Sequence, residues 1–184
     1  MNQVNRTEII DYVTYEEERD AFRSEVLAIK RPRRIHVGEY LTFLFENKTT
    51  IRYQVQEMMR TEKIVRESDI LHELETYNEL LGVPGELGCT LLIEIDDEAE
   101  RNVKLRAWLE LIQHLYMEVE GGERVRASFD ERQVGEERLS SVQYLKFDLK
   151  GRSPIAMGSD LPALIVHSEL TAEQKAALAE DLQA

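Results

Sequence analysis

Glu62 is the residue whose placement asks most insistently for chemistry. Taking 100° per residue from Ile51, the side chains of Ile51, Val55, Met58, Glu62 and Val65 fall within about 40° of one line, so the carboxylate shares the apolar stripe of a predicted helix. An unpaired carboxylate there is strongly disfavoured; it must be protonated, ion-paired, hydrogen-bonded or metal-bound. Three roles stay open for it: a structural salt bridge or hydrogen bond, a binding or catalytic group, and a metal ligand. Tyr53, Glu57 and Arg60 occupy a different face, where Glu57 and Arg60 can pair at i,i+3. On the next predicted helix Ile70, Leu74, Tyr77 and Leu81 form the core line, with Glu73 at its margin and His72 nearly opposite. Glu73 can therefore join Glu62, as binding partner or metal ligand, and His72 cannot. Gln54 and Asn78 read as hydrogen-bonding groups at helix ends or an interface.

Other motifs fall short. His72-Glu73-Leu74-Glu75-Thr76 begins like the zinc-protease helix but carries Thr76 where the second histidine belongs. Glu110 and His114 are a commonplace i,i+4 pair, and His36 and His167 lie within strand patterns. No phosphate loop, dinucleotide fingerprint, serine-nucleophile elbow or paired-cysteine motif occurs, so no cofactor is expected, and a metal ion is left open. The run Lys30-Arg31-Pro32-Arg33-Arg34 has two readings. It complements the negative end of the preceding helix and acidic neighbours, or Lys30, Arg31, Arg33 and Arg34 form an anion or partner-docking patch.

The elements that must position these groups follow from periodicity. Thr14 and Glu17 suggest a capping box, and apolar spacing then predicts a helix over 15–30, stopped by Pro32. A strand is expected over 35–46, bent at Gly38, and a helical pair over about 49–81, its second member capped by Ser68. A strand over 90–95 precedes a helix reaching about Gln113, with Leu105, Trp108 and Ile112 as its stripe. Side-chain phase in the next hairpin favours a three-residue loop, Gly121 to Glu123, pairing Val119 with Val125 and Glu118 with Arg126. Strands at 142–149 and 163–166, a short one at 155–157 and a helix from Thr171 complete the pattern. Residues 1–184 thus read as a single α+β domain, mostly antiparallel, with packed helices.

Composition bounds the function. With 36 acidic against 23 basic side chains, net charge −13, the chain repels nucleic acid and anionic membrane surfaces. Cys89 stands alone, so no disulfide forms within one chain. No apolar run nears the roughly 18 residues needed to span a bilayer, and Met1 to Asp11 lacks a signal-peptide core. A cytoplasmic location is expected.

With these residues in hand, the chain resembles the family catalogued as domain of unknown function 3501. The likeness rests on Phe45-Glu46-Asn47, Thr50, Gln54 to Met58, Arg60, Glu62, His72-Glu73, Tyr77-Asn78 and the strand Thr90 to Glu94. The family pattern also has a histidine and an aromatic residue near a late Asp-x-Pro element; Asp160-Leu161-Pro162-Ala163-Leu164 lacks both. The resemblance implies no activity, but it implies an accessory place in redox or oxidative-stress metabolism beside rubrerythrin-like and iron–sulfur reductase-like proteins. The expectation is a homo-oligomeric accessory or binding protein. The rival is an enzyme or metal-binding protein in which Glu46, Glu57, Glu62 and Glu73 supply carboxylates, Arg60 binds an anion and Tyr77 positions a proton or ligand.

Overall fold

The structure, a computed structural model, describes residues 3–133, 135 and 137–183. Among them the strands are β1 (Arg34–Val37), β2 (Leu41–Phe45), β3 (Glu86–Ile93), β4 (Leu115–Val119), β5 (Arg124–Arg126), β6 (Val142–Asp148), β7 (Pro154–Leu161) and β8 (Leu164–Glu169). They form two antiparallel sheets, ordered β1-β2-β3-β6 and β5-β4-β7-β8. Alternation decides which side chains meet between them: Ile35, Val37, Leu41, Phe43, Phe45, Leu91 and Phe147 of the first sheet share one core with Leu115, Met117, Val119 and Met157 of the second. Each such fully buried side chain contributes roughly 1.5–3 kcal/mol. An isolated bridge between Ser128, two residues past β5, and Lys146 of β6 ties the two sheets together along one side.

The helices are α1 (Tyr12–Lys30), α2 (Lys48–Glu62), α3 (Glu67–Asn78), α4 (Glu98–Ala107), α5 (Leu111–His114) and α6 (Ala172–Leu182). α6 lays Leu178 and Leu182 into the sheet core, whereas α2 and α3 build a second core from Ile51, Val55, Met59, Ile70 and Leu74. Val4 and Ile9 complete that second core. Two side-chain amides hold them there by mimicking a strand partner. Asn78 accepts from the Val4 amide at 2.9 Å and donates to its carbonyl at 3.0 Å; Gln56 does the same for Ile10 at 2.8 and 3.1 Å.

The α+β class and the helical pair stand as expected, with corrections of detail. The single strand over 35–46 is a hairpin that turns at Gly38 to Tyr40, because the turn lets both halves bury their alternate residues. α1 starts earlier, capped by Asp11, whose carboxylate accepts from the Val13 and Thr14 amides. α3 is preceded by Arg66 and closes at Asn78, and the helix expected to reach Gln113 breaks after Ala107. The hairpin loop is Glu120 to Gly122, one residue earlier than its phase suggested, with Met117 opposite Val125 and Glu118 opposite Arg124. Gly121 and Gly122 both take positive φ, 95° and 83°, and so belong inside the loop. The inward and outward faces keep the expected phase.

Candidate functional site

Pro32 sits in a 3-10 turn, Arg31–Arg33, that carries the chain from α1 into β1 and sorts the basic run by direction. Arg33 turns inward and is 5% exposed. Its Nε and Nη2 donate to Asp181 of α6 at 2.7 and 2.8 Å, and its Nη1 donates to the Ile29 carbonyl at 2.9 Å. Arg33 is thereby a structural clamp. Arg31 turns outward to a solvent-exposed pair with Glu173 at 2.6 Å. Arg34 is exposed and has no ion-pair partner among the described residues.

Between the end of α1 and the outer face of β1 and β2 lies a groove of about 580 Å³. Lys30, Arg31 and Arg34 form its cationic rim, Leu27 and Leu44 its apolar walls, and His36 and Glu46 complete it. Glu46 follows β2, its amide bonded to the Gly88 carbonyl at 3.0 Å. Its carboxylate accepts from the Thr50 hydroxyl at the start of α2. Burial pushes the Glu46 carboxyl above the ordinary range, against the Lys30 charge and the Thr50 bond, with Asp181 adding to the rise. On the same sheet face Thr42, 1% exposed, donates from its hydroxyl to Glu94 and lies 2.9 Å from His36 Nδ1.

The other expected site residues scatter. Glu62 is exposed, which corrects its placement on the buried stripe. The stripe passes through Ile51, Val55, Gln56 and Met59 and ends there, since α2 closes at Glu62 and Lys63 takes the left-handed conformation. Glu62 and Glu73 make no hydrogen bond or ion pair with any described residue, so the proposed carboxylate pair is not assembled. Glu57 instead fastens α1 to α2: it accepts from the Tyr15 hydroxyl at 2.7 Å and from Arg19 at 2.7 and 3.0 Å, with Arg60 at 3.8 Å. Burial raises its pKa, and the Arg19 and Tyr15 bonds outweigh that, leaving it below the usual range. Tyr77 packs against the helical core, Asn78 holds Val4, and Gln54 is half-buried with no side-chain hydrogen bond to any described residue. Cys89 is buried in the sheet core, its thiol pushed up by burial and by Glu46, away from reactivity.

One polar cluster escaped the sequence reading. Across the second sheet Arg126, Tyr116, Gly158 and His167 lie in register. Tyr116 crosses over Gly158, where a Cβ would come within 2.7 Å of its hydroxyl, and reaches His167 Nδ1 at 3.0 Å. Beside this row Asp160 meets His114 at 2.9 Å and Arg126 at 2.5 Å. The Arg126 bond, against some desolvation, and then the His114 bond hold Asp160 down to about 2. His114 and Tyr116 come to this place from the α5–β4 stretch through the pairing of β4 with β7, which the sequence alone does not show. Every charged member of this cluster has a partner within it, which makes it a brace across the sheet. Among the described residues no group of three or more His, Cys, Asp or Glu is placed to hold a metal, and no helix is long and apolar enough to cross a membrane.

The fold and groove define an α+β protein with an open, cation-rimmed concavity beside a half-buried carboxyl group. The chain belongs to the family described as protein of unknown function, DUF3501, whose pattern matches residues 3–182. It is similar to a crystal structure of a protein of unknown function from Burkholderia pseudomallei K96243, at 30% identity and a TM-score of 0.88, covering 99% of this chain and 100% of that one. No curated protein matches it.

Proposed function

We propose that this protein is a cytoplasmic binding component that holds a small organic anion in the α1–β1–β2 groove. It serves partners of the rubrerythrin-like and iron–sulfur reductase-like kinds without turnover of its own. One observation carries the reading: Lys30, Arg31 and Arg34 converge around apolar walls in a chain of net charge −13. Arg34 has no ion-pair partner among the described residues, and the Arg31–Glu173 pair is solvent-exposed, so a ligand carboxylate can replace Glu173 at little cost. A guanidinium takes a carboxylate in a two-pronged bond, and Leu27 and Leu44 offer surface for an apolar body. The exposed Glu62 lends no support to the rival carboxylate-rich site.

Phenylacetate is a suitable probe, followed by amide chemical-shift changes and calorimetry. Binding should map to the groove and weaken at least tenfold on Arg34→Ala. Absence of binding, or affinity unchanged by both Arg34→Ala and Arg31→Ala, defeats the reading. Self-association belongs to the same proposal and is read by sedimentation velocity; a monomer at all concentrations removes it.

A further inference from the structure

The hydroxyl of Thr42 touches two groups, Glu94 and His36 Nδ1, the latter at 2.9 Å. It owns one proton, and an ionised carboxylate only accepts. The Thr42 proton therefore goes to Glu94, and the contact with His36 needs a proton from the ring: Nδ1–H donates to Thr42 Oγ1. In the neutral imidazole Nε2 is then an acceptor. Three strands fix this chain of groups. His36 of β1 is the register partner of Thr42 in β2, and the Glu94 amide, just past β3, is bonded to the Tyr40 carbonyl at 2.8 Å. Thr42 is buried, while His36 lines the groove beside Arg34 and Glu46.

We propose that His36 Nε2 is the fixed proton acceptor of the groove, set by Thr42 and Glu94, and that it selects organic acids carrying a hydroxyl beside the carboxylate. The arginine rim takes the carboxylate and His36 Nε2 accepts from the hydroxyl. A bound acid without that donor leaves the nitrogen unsatisfied once water is displaced. The selection rests on the groove reading above; the ring tautomer is a property of the free protein and stands apart from it.

The two parts are tested separately. Long-range nitrogen–proton NMR above the ordinary imidazole pKa of about 6.5 should show His36 protonated at Nδ1 and bare at Nε2. Thr42→Ser should keep that tautomer. Thr42→Val removes the acceptor, and Glu94→Ala, at an exposed position, frees the Thr42 proton to face the ring; both should give a mixture. A wild-type ring protonated at Nε2 overturns the proposal. Mandelate and phenylacetate differ by one hydroxyl, and wild type should prefer mandelate about tenfold, a ratio that falls in Glu94→Ala by the fraction of rings left bare at Nε2, to about fivefold for an even mixture. Equal affinities in wild type overturn the selection. If the tautomer is as stated and neither acid binds, the groove reading fails, the selection fails with it, and the tautomer assignment stands.

Discussion

Removing Arg33 should unfasten α6. Arg33 and Asp181 are 5% and 9% exposed, so neither charge can turn to water when its partner is lost. In Arg33→Met the Asp181 carboxylate keeps only the Asn47 amide at 3.3 Å, and the Ile29 carbonyl loses its donor. Breaking a buried pair from one side costs about 3–5 kcal/mol. For a chain of this size each kcal/mol lowers the melting temperature by about 2–4 °C, so the fall should be roughly 6–20 °C. The double variant Arg33→Met with Asp181→Leu leaves no buried charge and should return to within about 2 kcal/mol of wild type. Urea unfolding followed by circular dichroism measures all three against wild type. A single variant costing under about 1 kcal/mol, or a double variant equal to the sum of its singles, refutes the reasoning.

Burial raises the Glu46 pKa in the folded chain, so folding takes up a proton there. The favourable contribution is complete below the unfolded value of about 4.3 and is lost as pH rises through the folded value. Glu46→Gln should accordingly lose less stability than wild type between about pH 4 and pH 7; parallel pH profiles would contradict this. Gly158→Ala places a Cβ 2.2 Å from the Val166 carbonyl and 2.7 Å from the Tyr116 hydroxyl. The cost should be about 1–3 kcal/mol in thermal unfolding, and an unchanged melt rules out the close approach. Gln56→Leu strips the Ile10 amide and carbonyl of their partners and should cost about 1–3 kcal/mol. Hydrogen exchange at the Ile10 amide should accelerate, and retained protection would show that another group holds it.

Periodicity made most of the elements legible, because each strand and helix reports its own buried side. It could not say where an element stops being covered. Glu62 has the right angle on α2, yet it stands on the last turn, beyond Met59, the last buried residue of the helix. Within the Lys30 to Arg34 run the acidic-neighbour reading holds for Arg33, the internal clamp on Asp181, while Arg34 is exposed with no ion-pair partner among the described residues and the docking reading is a proposal. Which of them is the clamp depends on α6, 148 residues further along. Gln56 was missed because its partner is backbone rather than a charge, and a polar residue within an apolar stripe was the one signal available. His36 and Thr42 alternate onto one face in the sequence, but their meeting needs the hairpin at Gly38, which was read as a bend in one strand. The brace around Asp160 likewise needs the pairing of β4 with β7.

The grip of Gln56 and Asn78 on the Val4 to Ile10 stretch sets an order of events during synthesis. The two contacts span 46 and 74 residues, so the ribosome delivers Val4 well before Asn78 exists to receive it. Until then the stretch is unplaced, its apolar side chains waiting for α2 and α3 to leave the tunnel. Residues made well before their partners are thus among the late ones to settle. A bulky fusion close to Val4 should slow maturation of the helical layer more than it lowers the final stability.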